Sequence, residues 1–184
     1  GKLFNKNFVM LFCFTLGTCF TSFAQTTYEQ LLANIANSTL KDYGQGDYGP
    51  TAASYMALMD ESGAFVDVNY NDDKKSDWSP VVHYNRLVVM AVAYISPYSS
   101  KKGDEALFQA VNKSFLYWAS KNPQNTNWWY HSIGIPQNLG LAMCLMRMGD
   151  KKLPGDTESA IVSILAKAKN PASYTAANKQ DIAL

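Results

Sequence analysis

Apolar residues recur at the spacing of an α-helix along most of this chain, with turn-forming residues between the periodic stretches. No segment shows the apolar and polar alternation of a half-buried strand. Caps and breakers such as Asp104, Gly149 and Pro171 set the limits of the periodic stretches. The sequence therefore predicts an all-α fold with helices over 28–41, 50–60, 81–95, 105–120, 136–148 and 157–169, and a last helix from about 178.

Two stretches of the sequence repeat loosely. Asp77-Trp78-Ser79-Pro80 and the segment from Trp129 to Pro136 each place tryptophan and proline ahead of an apolar helix, about 50 residues apart. Two helices per repeat are typical of stacked helical hairpins, either in a solenoid or in a closed α/α toroid.

Residues 1–24 have the pattern of a secretory signal peptide. Lys2 and Lys6 precede an apolar run from Phe8 to Phe20, and Ser22-Phe23-Ala24 fits a cleavage site. The run is short for a membrane span. We expect cleavage after Ala24, a secreted or periplasmic protein, a mature domain over 25–184, and no membrane attachment after cleavage. An uncleaved anchor and a lipid-modified Cys19 are the alternatives.

The predicted cleavage also determines the charge and the cysteines of the mature chain. The sequence has 16 basic and 15 acidic residues, so removal of Lys2 and Lys6 would leave a net charge of −1. That balance gives no electrostatic reason to expect nucleic acid as a partner. Loss of Cys13 and Cys19 would leave Cys144, which we predict to be a small buried residue and not a nucleophile.

The most informative segment is the run from Asn127 to Pro136, in which three aromatic residues precede a predicted helix. Successive side chains point in different directions, so we expect at least one aromatic face to meet solvent or a ligand. Indole rings stack on the C–H faces of sugars, and amides such as that of Asn127 exchange hydrogen bonds with hydroxyls. The run predicts a carbohydrate-binding surface; tryptophans that plug adjacent helix pairs are the alternative.

Both histidines are assigned modest roles. His131 is predicted to be an exposed neighbour of the tryptophans, with sugar contact as the alternative. His83, at the start of an apolar helix, is predicted to be a capping or packing residue.

Two acidic stretches carry weaker hypotheses. The long polar loop from Asn69 to Asp77 is typical of a functional or mobile segment, and its aspartates are interspersed with lysines, which favours a solvated loop over a metal site. A hydrolytic carboxylate pair would have to come from Asp60, Glu61 and Asp67 on the preceding turn.

The aromatic run resembles the hallmark of polysaccharide lyase family 8, which contains chondroitin AC, hyaluronate and xanthan lyases. Asn127-Trp128-Trp129, Ile133-Gly134 and Pro136 match it, and further family segments are similar, in the same order, to the turn 62–67, to Trp118 and to 174–183. The chain departs from the family pattern at Ser132, Asn138 and Ala176.

The resemblance implies that 25–184 is the first part of an α/α-toroid lyase domain, incomplete and inactive alone. It implies β-elimination on the C4 side of a uronic acid in an acidic polysaccharide, with no cofactor. Asn178 matches the family's catalytic Asn at the substrate carboxylate. Trp128 and Trp129 match its sugar-stacking patch, beside Asn127 and His131 as substrate-binding residues. The family's His, Tyr and Arg, and C-terminal β-domains, would follow Leu184.

Two other functions remain open at this stage. A helical-toroid glycoside hydrolase would need paired carboxylates in the cleft of Trp128 and Trp129. A non-catalytic glycan-binding protein would keep the tryptophans without the family's His, Tyr and Arg.

Overall fold

The computed structural model describes residues 27–166. The predicted cleavage site, the predicted last helix and Asn178 lie outside these residues. Within them, the regular structure is helical, and the only extended pairing is one isolated antiparallel bridge between Met59 and Phe65. The all-α prediction is therefore confirmed. The elements are α1 (27–43), α2 (Gly49–Ala57), α3 (Val81–Ile95), α4 (Glu105–Lys121), a π-helical turn (Tyr130–Gly134), α5 (Ile135–Arg147) and α6 (Gly155–Leu165).

The helices from α3 onward pack as two layers of hairpins. α3 lies beside α5 and α4 lies beside α6, while the successive pairs α3–α4 and α5–α6 also pack together. α2 contacts both α3 and α4. This arrangement confirms the predicted stacking of helical hairpins. None of the described helices combines the length and the apolar character needed to cross a membrane.

Helix α3 forms the centre of the core. Leu87, Met90 and Ala91 are fully buried along it, and Leu139 and Leu145 of α5 are equally inaccessible. α3 ends at Ile95 because Ser96 precedes Pro97 and takes an extended conformation, as the proline ring requires. A helix buried over so much of its surface is held by packing, and this is the arrangement that fixes the elements around it.

Several predicted helix ends within the described residues are confirmed, whereas the predicted start of α6 and the predicted end of α2 are wrong. Asp104 caps α4 by accepting a 2.7 Å hydrogen bond from the Leu107 N–H. The residue preceding α6 is Pro154, so Asp156 and Thr157 lie in the first turn and do not cap it. α2 ends at Ala57, earlier than predicted, because Met59 pairs with Phe65 instead of continuing the helix.

The turn between α2 and the long loop is fixed against α3 and α4. Gly63 has φ 93°, and a Cβ there would lie 2.4 Å from the Lys113 carbonyl oxygen of α4, so the position requires glycine. Arg86 of α3 forms two 2.6 Å hydrogen bonds with the Asp67 carboxylate. Its guanidinium also lies 4.8 Å from the centre of the Phe65 ring. The turn is thus part of the packed structure.

His83 is a fully buried packing residue, as predicted. The Tyr70 hydroxyl accepts a hydrogen bond from the Phe65 N–H at 2.9 Å, so its own proton points to His83 Nδ1 at 2.8 Å. Nε2 is then the protonated nitrogen and donates to the Ser114 carbonyl at 3.1 Å. Burial lowers the pKa of His83 to about 3, so the imidazole is neutral in the folded protein.

This burial predicts a loss of stability in mild acid. The unfolded chain protonates His83 near its ordinary pKa of 6.5, whereas the folded protein resists protonation down to about 3. The contribution of the neutral His83 imidazole to the free energy of unfolding is complete above pH 6.5 and declines as the pH falls toward 3. We expect urea titrations to show about 2 kcal/mol less free energy of unfolding at pH 5 than at pH 7.

A non-titrating variant supplies the control. His83→Gln should be less stable at pH 7 and should lose most of the difference between pH 7 and pH 5. His131→Gln should retain most of it. Equal pH dependence in His83→Gln and the parent would contradict the assignment.

Candidate carbohydrate-binding site

The aromatic run lies at the start of a helix. Helical structure begins at Trp128, and the π-helical turn leads from there into α5. The prediction that all three aromatics precede the helix was therefore wrong. Asn127 acts as the cap, since its Oδ1 accepts a 3.1 Å hydrogen bond from the Trp129 N–H.

The three aromatic side chains diverge, as predicted. Trp128 is 47% exposed and Trp129 is 36% exposed, whereas Tyr130 is only 8% exposed. The Tyr130 ring packs 5.0 Å from Trp78, which is itself buried. Tyr130 thus anchors this part of the helix in the core, while the two indoles before it are exposed. We call these two indoles, of Trp128 and Trp129, the aromatic platform.

The π-helical turn follows from Pro136. Proline lacks the N–H that an α-helix would use at this position, and its ring crowds the preceding turn. The helix widens instead: the Ile135 N–H bonds to the Tyr130 carbonyl, five residues back. Asn138 supports the turn, because its Nδ2 donates to the Gly134 carbonyl at 2.8 Å.

Gly134 provides the space in which the Trp129 ring lies. A Cβ at this position would lie 2.6 Å from Cζ3 of Trp129 and 3.1 Å from the Tyr84 hydroxyl oxygen. The distance to Trp129 is shorter than real Cβ contacts and the distance to Tyr84 is tight, so the indole lies directly against the glycine backbone. The position of Trp129 therefore depends on Gly134.

The loop 69–77 supports the platform from the side. Asn125 Nδ2 donates to the Lys74 carbonyl and Asn127 Nδ2 donates to the Lys75 carbonyl, both at 2.8 Å. Asp72 shapes the loop by accepting from the Ser79 N–H at 2.8 Å. The predicted solvated loop thus has a structural role. Across residues 27–166, no group of three or more His, Cys, Asp or Glu side chains is arranged to hold a metal ion.

His131 is half-buried, so the expectation of an exposed side chain was wrong. The Asn125 N–H donates to its Nε2 at 2.9 Å, and burial lowers the pKa of the imidazole. The ring stabilises the loop that leads to Asn127. It also borders a cavity of about 230 Å³, together with Trp118, Asn122, Gln124, Ser132, Ile135 and Ile164. Its contact with sugar stays a prediction.

Comparison with known proteins gives the family. The profile described as "Polysaccharide lyase family 8, N terminal alpha-helical domain" matches residues 24–184. The chain belongs to polysaccharide lyase family 8. The resemblance carried by the aromatic run is confirmed.

Two relatives illustrate the similarity of this family 8 chain. It is 38% identical over 136 residues to chondroitinase-AC of Pedobacter heparinus, a match that covers 72% of this chain and 19% of the relative. A solved structure of chondroitinase AC lyase, from a study of its enzyme–oligosaccharide complexes, matches with a TM-score of 0.69 and 33% identity. That match covers 74% of this chain and 20% of the other. The chain thus spans about a fifth of the length of the relatives it matches.

The carboxylates proposed for a hydrolase hold a turn of this family 8 domain. Asp60 accepts hydrogen bonds from the Ser62 hydroxyl and from backbone N–H groups, and these lower its pKa. The Arg86 guanidinium holds the pKa of Asp67 below its usual range. A glycosidase needs one protonated carboxylic acid, which requires a raised pKa. Neither aspartate meets that requirement.

Two features of the site were not foreseen from the sequence: the contact between Trp129 and Gly134, and the carbonyls of Lys74 and Lys75. The spacing of Trp129, Gly134 and Pro136 is a usable signal for the first, since a proline inside a helix favours a widened turn. A bond from a side chain to a distant backbone carbonyl leaves no pattern in the residue types.

We expect Gly134→Ala to displace the Trp129 ring. The added methyl would occupy the space of the indole edge, so the accessibility of Trp129 to iodide should change. Fluorescence quenching of the purified protein measures this directly. Gly140→Ala is the matched control, because a Cβ there meets only Leu165 at ordinary contact distance. It should leave quenching unchanged and add roughly 0.5 to 1 kcal/mol of stability. Identical quenching of Gly134→Ala and the parent would contradict the packing described.

Proposed function

We propose that the complete protein is a secreted polysaccharide lyase that cleaves a uronic-acid-containing polysaccharide by β-elimination, with the aromatic platform as a sugar-stacking surface. The observation that carries the proposal is the pair of adjacent exposed indoles, held at a helix start, in a chain of lyase family 8. Similarity to chondroitinase-AC makes chondroitin the first substrate to test. The leader pattern of residues 1–24 supports secretion.

The chemistry fits what such a site has to supply. A base removes the proton at C5 of the uronic acid, the C4–O bond breaks, and a C4–C5 double bond forms while the leaving oxygen takes a proton. Electrons and atoms balance without an external acceptor, so no redox cofactor is required. The C5 proton is weakly acidic because the neighbouring carboxylate is charged. The site must therefore stabilise the carboxylate as negative charge develops, and we assign this to the Asn178 amide.

The platform supplies binding and orientation. Each indole offers an apolar face to the C–H side of a sugar ring, and two successive indoles match successive rings of a polymer. Their backbone is fixed by Asn127 and Pro136, so little conformational entropy remains to be lost when the chain binds. The platform is thus suited to hold the polysaccharide in register with a catalytic group elsewhere.

A product assay separates the three candidate functions. The complete protein should convert chondroitin to products with new reducing ends and with the ultraviolet absorbance of an unsaturated uronate. Reducing ends without that absorbance would identify a hydrolase. Binding without either product would identify a glycan-binding protein and would remove the catalytic role of Asn178.

The two proposed roles predict different kinetic changes. Trp129→Ala should raise KM by about tenfold with kcat nearly unchanged, because it removes stacking that acts before and during reaction. Asn178→Ala should lower kcat by about a hundredfold or more with a small change in KM. Steady-state assays of both variants check this, with Trp129→Phe expected to lie between Trp129→Ala and the parent. A kcat loss in Trp129→Ala that equals the loss in Asn178→Ala would refute the division of roles.

A further inference from the structure

The amide of Asn127 is engaged at both of its polar atoms. Its Oδ1 accepts from the Trp129 N–H at 3.1 Å, and its Nδ2 donates to the Lys75 carbonyl at 2.8 Å. The side chain therefore connects the first turn of the platform helix to the loop 69–77. The backbone N–H of Asn127 is also used, since it donates to Asn125 Oδ1 at 2.8 Å.

The loop at the other end of this connection is itself anchored in the core. The indole N–H of Trp78 donates to the Asp72 carbonyl at 2.9 Å, and Trp78 is 1% exposed. Tyr70 is joined to the buried His83, and the Asp72 carboxylate accepts from the N–H groups of Ser79 and Lys74. Asn127 thus ties the platform to a fixed part of the protein.

The position of the platform in its helix makes it sensitive to the loss of these Asn127 hydrogen bonds. Trp128 and Trp129 lie in the first turn, where a helix frays most readily when its cap is lost. The next turn is the widened one before Pro136, so the regular bonding between residues four apart is interrupted directly after the first turn. The exposed indoles therefore depend on Asn127 for their orientation.

We propose that Asn127 is a positioning residue, which sets the angle of the aromatic platform by joining it to the loop 69–77. The inference deepens the proposed function and rests on it for the meaning of the platform. It assigns Asn127 a role different from that of a direct sugar ligand, because its amide oxygen and its amide nitrogen each make one bond within the protein that holds the side chain between the platform helix and the loop.

Substitutions at Asn127 can separate its role as helix cap from its bond to the loop 69–77. Asn127→Ser keeps a strong helix-capping hydroxyl but is too short to reach the Lys75 carbonyl. Asn127→Ala removes both bonds. Asn37→Ser, in α1, is the control for the same replacement at another position. All three are made in the complete protein, and thermal melting checks that each is folded.

Two readouts follow the platform. Trp78 and Trp118 are each 1% exposed, so among the tryptophans of the described residues iodide reaches Trp128 and Trp129, and the difference in quenching between an Asn127 variant and the parent reports on these two. Asn127→Ser should change the quenching of the ligand-free protein relative to the parent and to Asn37→Ser. With chondroitin as the substrate, we expect Asn127→Ser to raise KM about fivefold and to leave kcat within about twofold. Asn127→Ala should show larger changes in both readouts.

A double-mutant cycle tests whether the effect passes through the loop. Asp72→Ala removes the acceptor for Ser79 and Lys74 without touching the platform. If Asn127 acts through the loop, Asp72→Ala should raise KM in the parent and add little in the Asn127→Ser background. Additive effects on KM, together with unchanged quenching in the free protein, would identify Asn127 as a direct ligand and overturn the proposal. So would parental behaviour of Asn127→Ser in both readouts.

Failure of the proposed function is distinguishable from failure of this inference. A complete protein that makes no unsaturated product from chondroitin or hyaluronan would refute the lyase assignment. The quenching of the free variants would still decide the positioning role, because it requires no substrate. Normal lyase activity with parental quenching in every Asn127 variant would refute the inference alone.

Discussion

The buried hydrogen bonds of His83 are the interaction on which the described structure depends. They join three parts of the chain that are distant in sequence: Tyr70 in the loop, His83 on α3 and Ser114 on α4. A buried imidazole without partners would cost the protein the desolvation of both nitrogens, so the three elements are held in one arrangement. The same arrangement places Gly63 against the backbone of α4 and Arg86 against Asp67. What resembled a surface loop in the sequence is therefore connected to the core.

A second constraint operates where the platform is presented. Pro136 prevents a regular α-helix, and the widened turn allows Tyr130 to reach the core while Trp128 and Trp129 remain outside. Gly134 then permits the Trp129 ring to lie on the backbone, a contact that any larger residue would prevent. The protein thus exposes apolar rings through local departures from ideal helix geometry. The hydrophobic effect would otherwise favour burying those rings. Such departures are typical of functional sites.

The sequence predicted the helices well because their signals are local. The limits of α3 follow from apolar periodicity and Pro97, and the start of α4 follows from the Asp104 cap. The start of the platform helix at Trp128 was missed, since Asn127 resembles any residue of the polar loop until its partner is known. The half-buried state of His131 was missed because it depends on the path of the chain at Asn125, which periodicity does not determine. Aromatic residue types indicated the kind of site, and only the fold showed what holds it.

The departures from the family pattern can also be interpreted from these contacts. The resemblance to the family leads us to expect Arg near Asn138, whose short amide donates to the Gly134 carbonyl at 2.8 Å and so braces the widened turn. A longer side chain at that position would extend past the turn instead. Ser132, where many members carry Glu or Gln, borders the cavity beside His131 and leaves that space open and uncharged. Ser132 lies one turn after the platform, and Asn138 bonds to the widened turn that follows it; both departures therefore alter the surroundings of the indoles and not the indoles themselves.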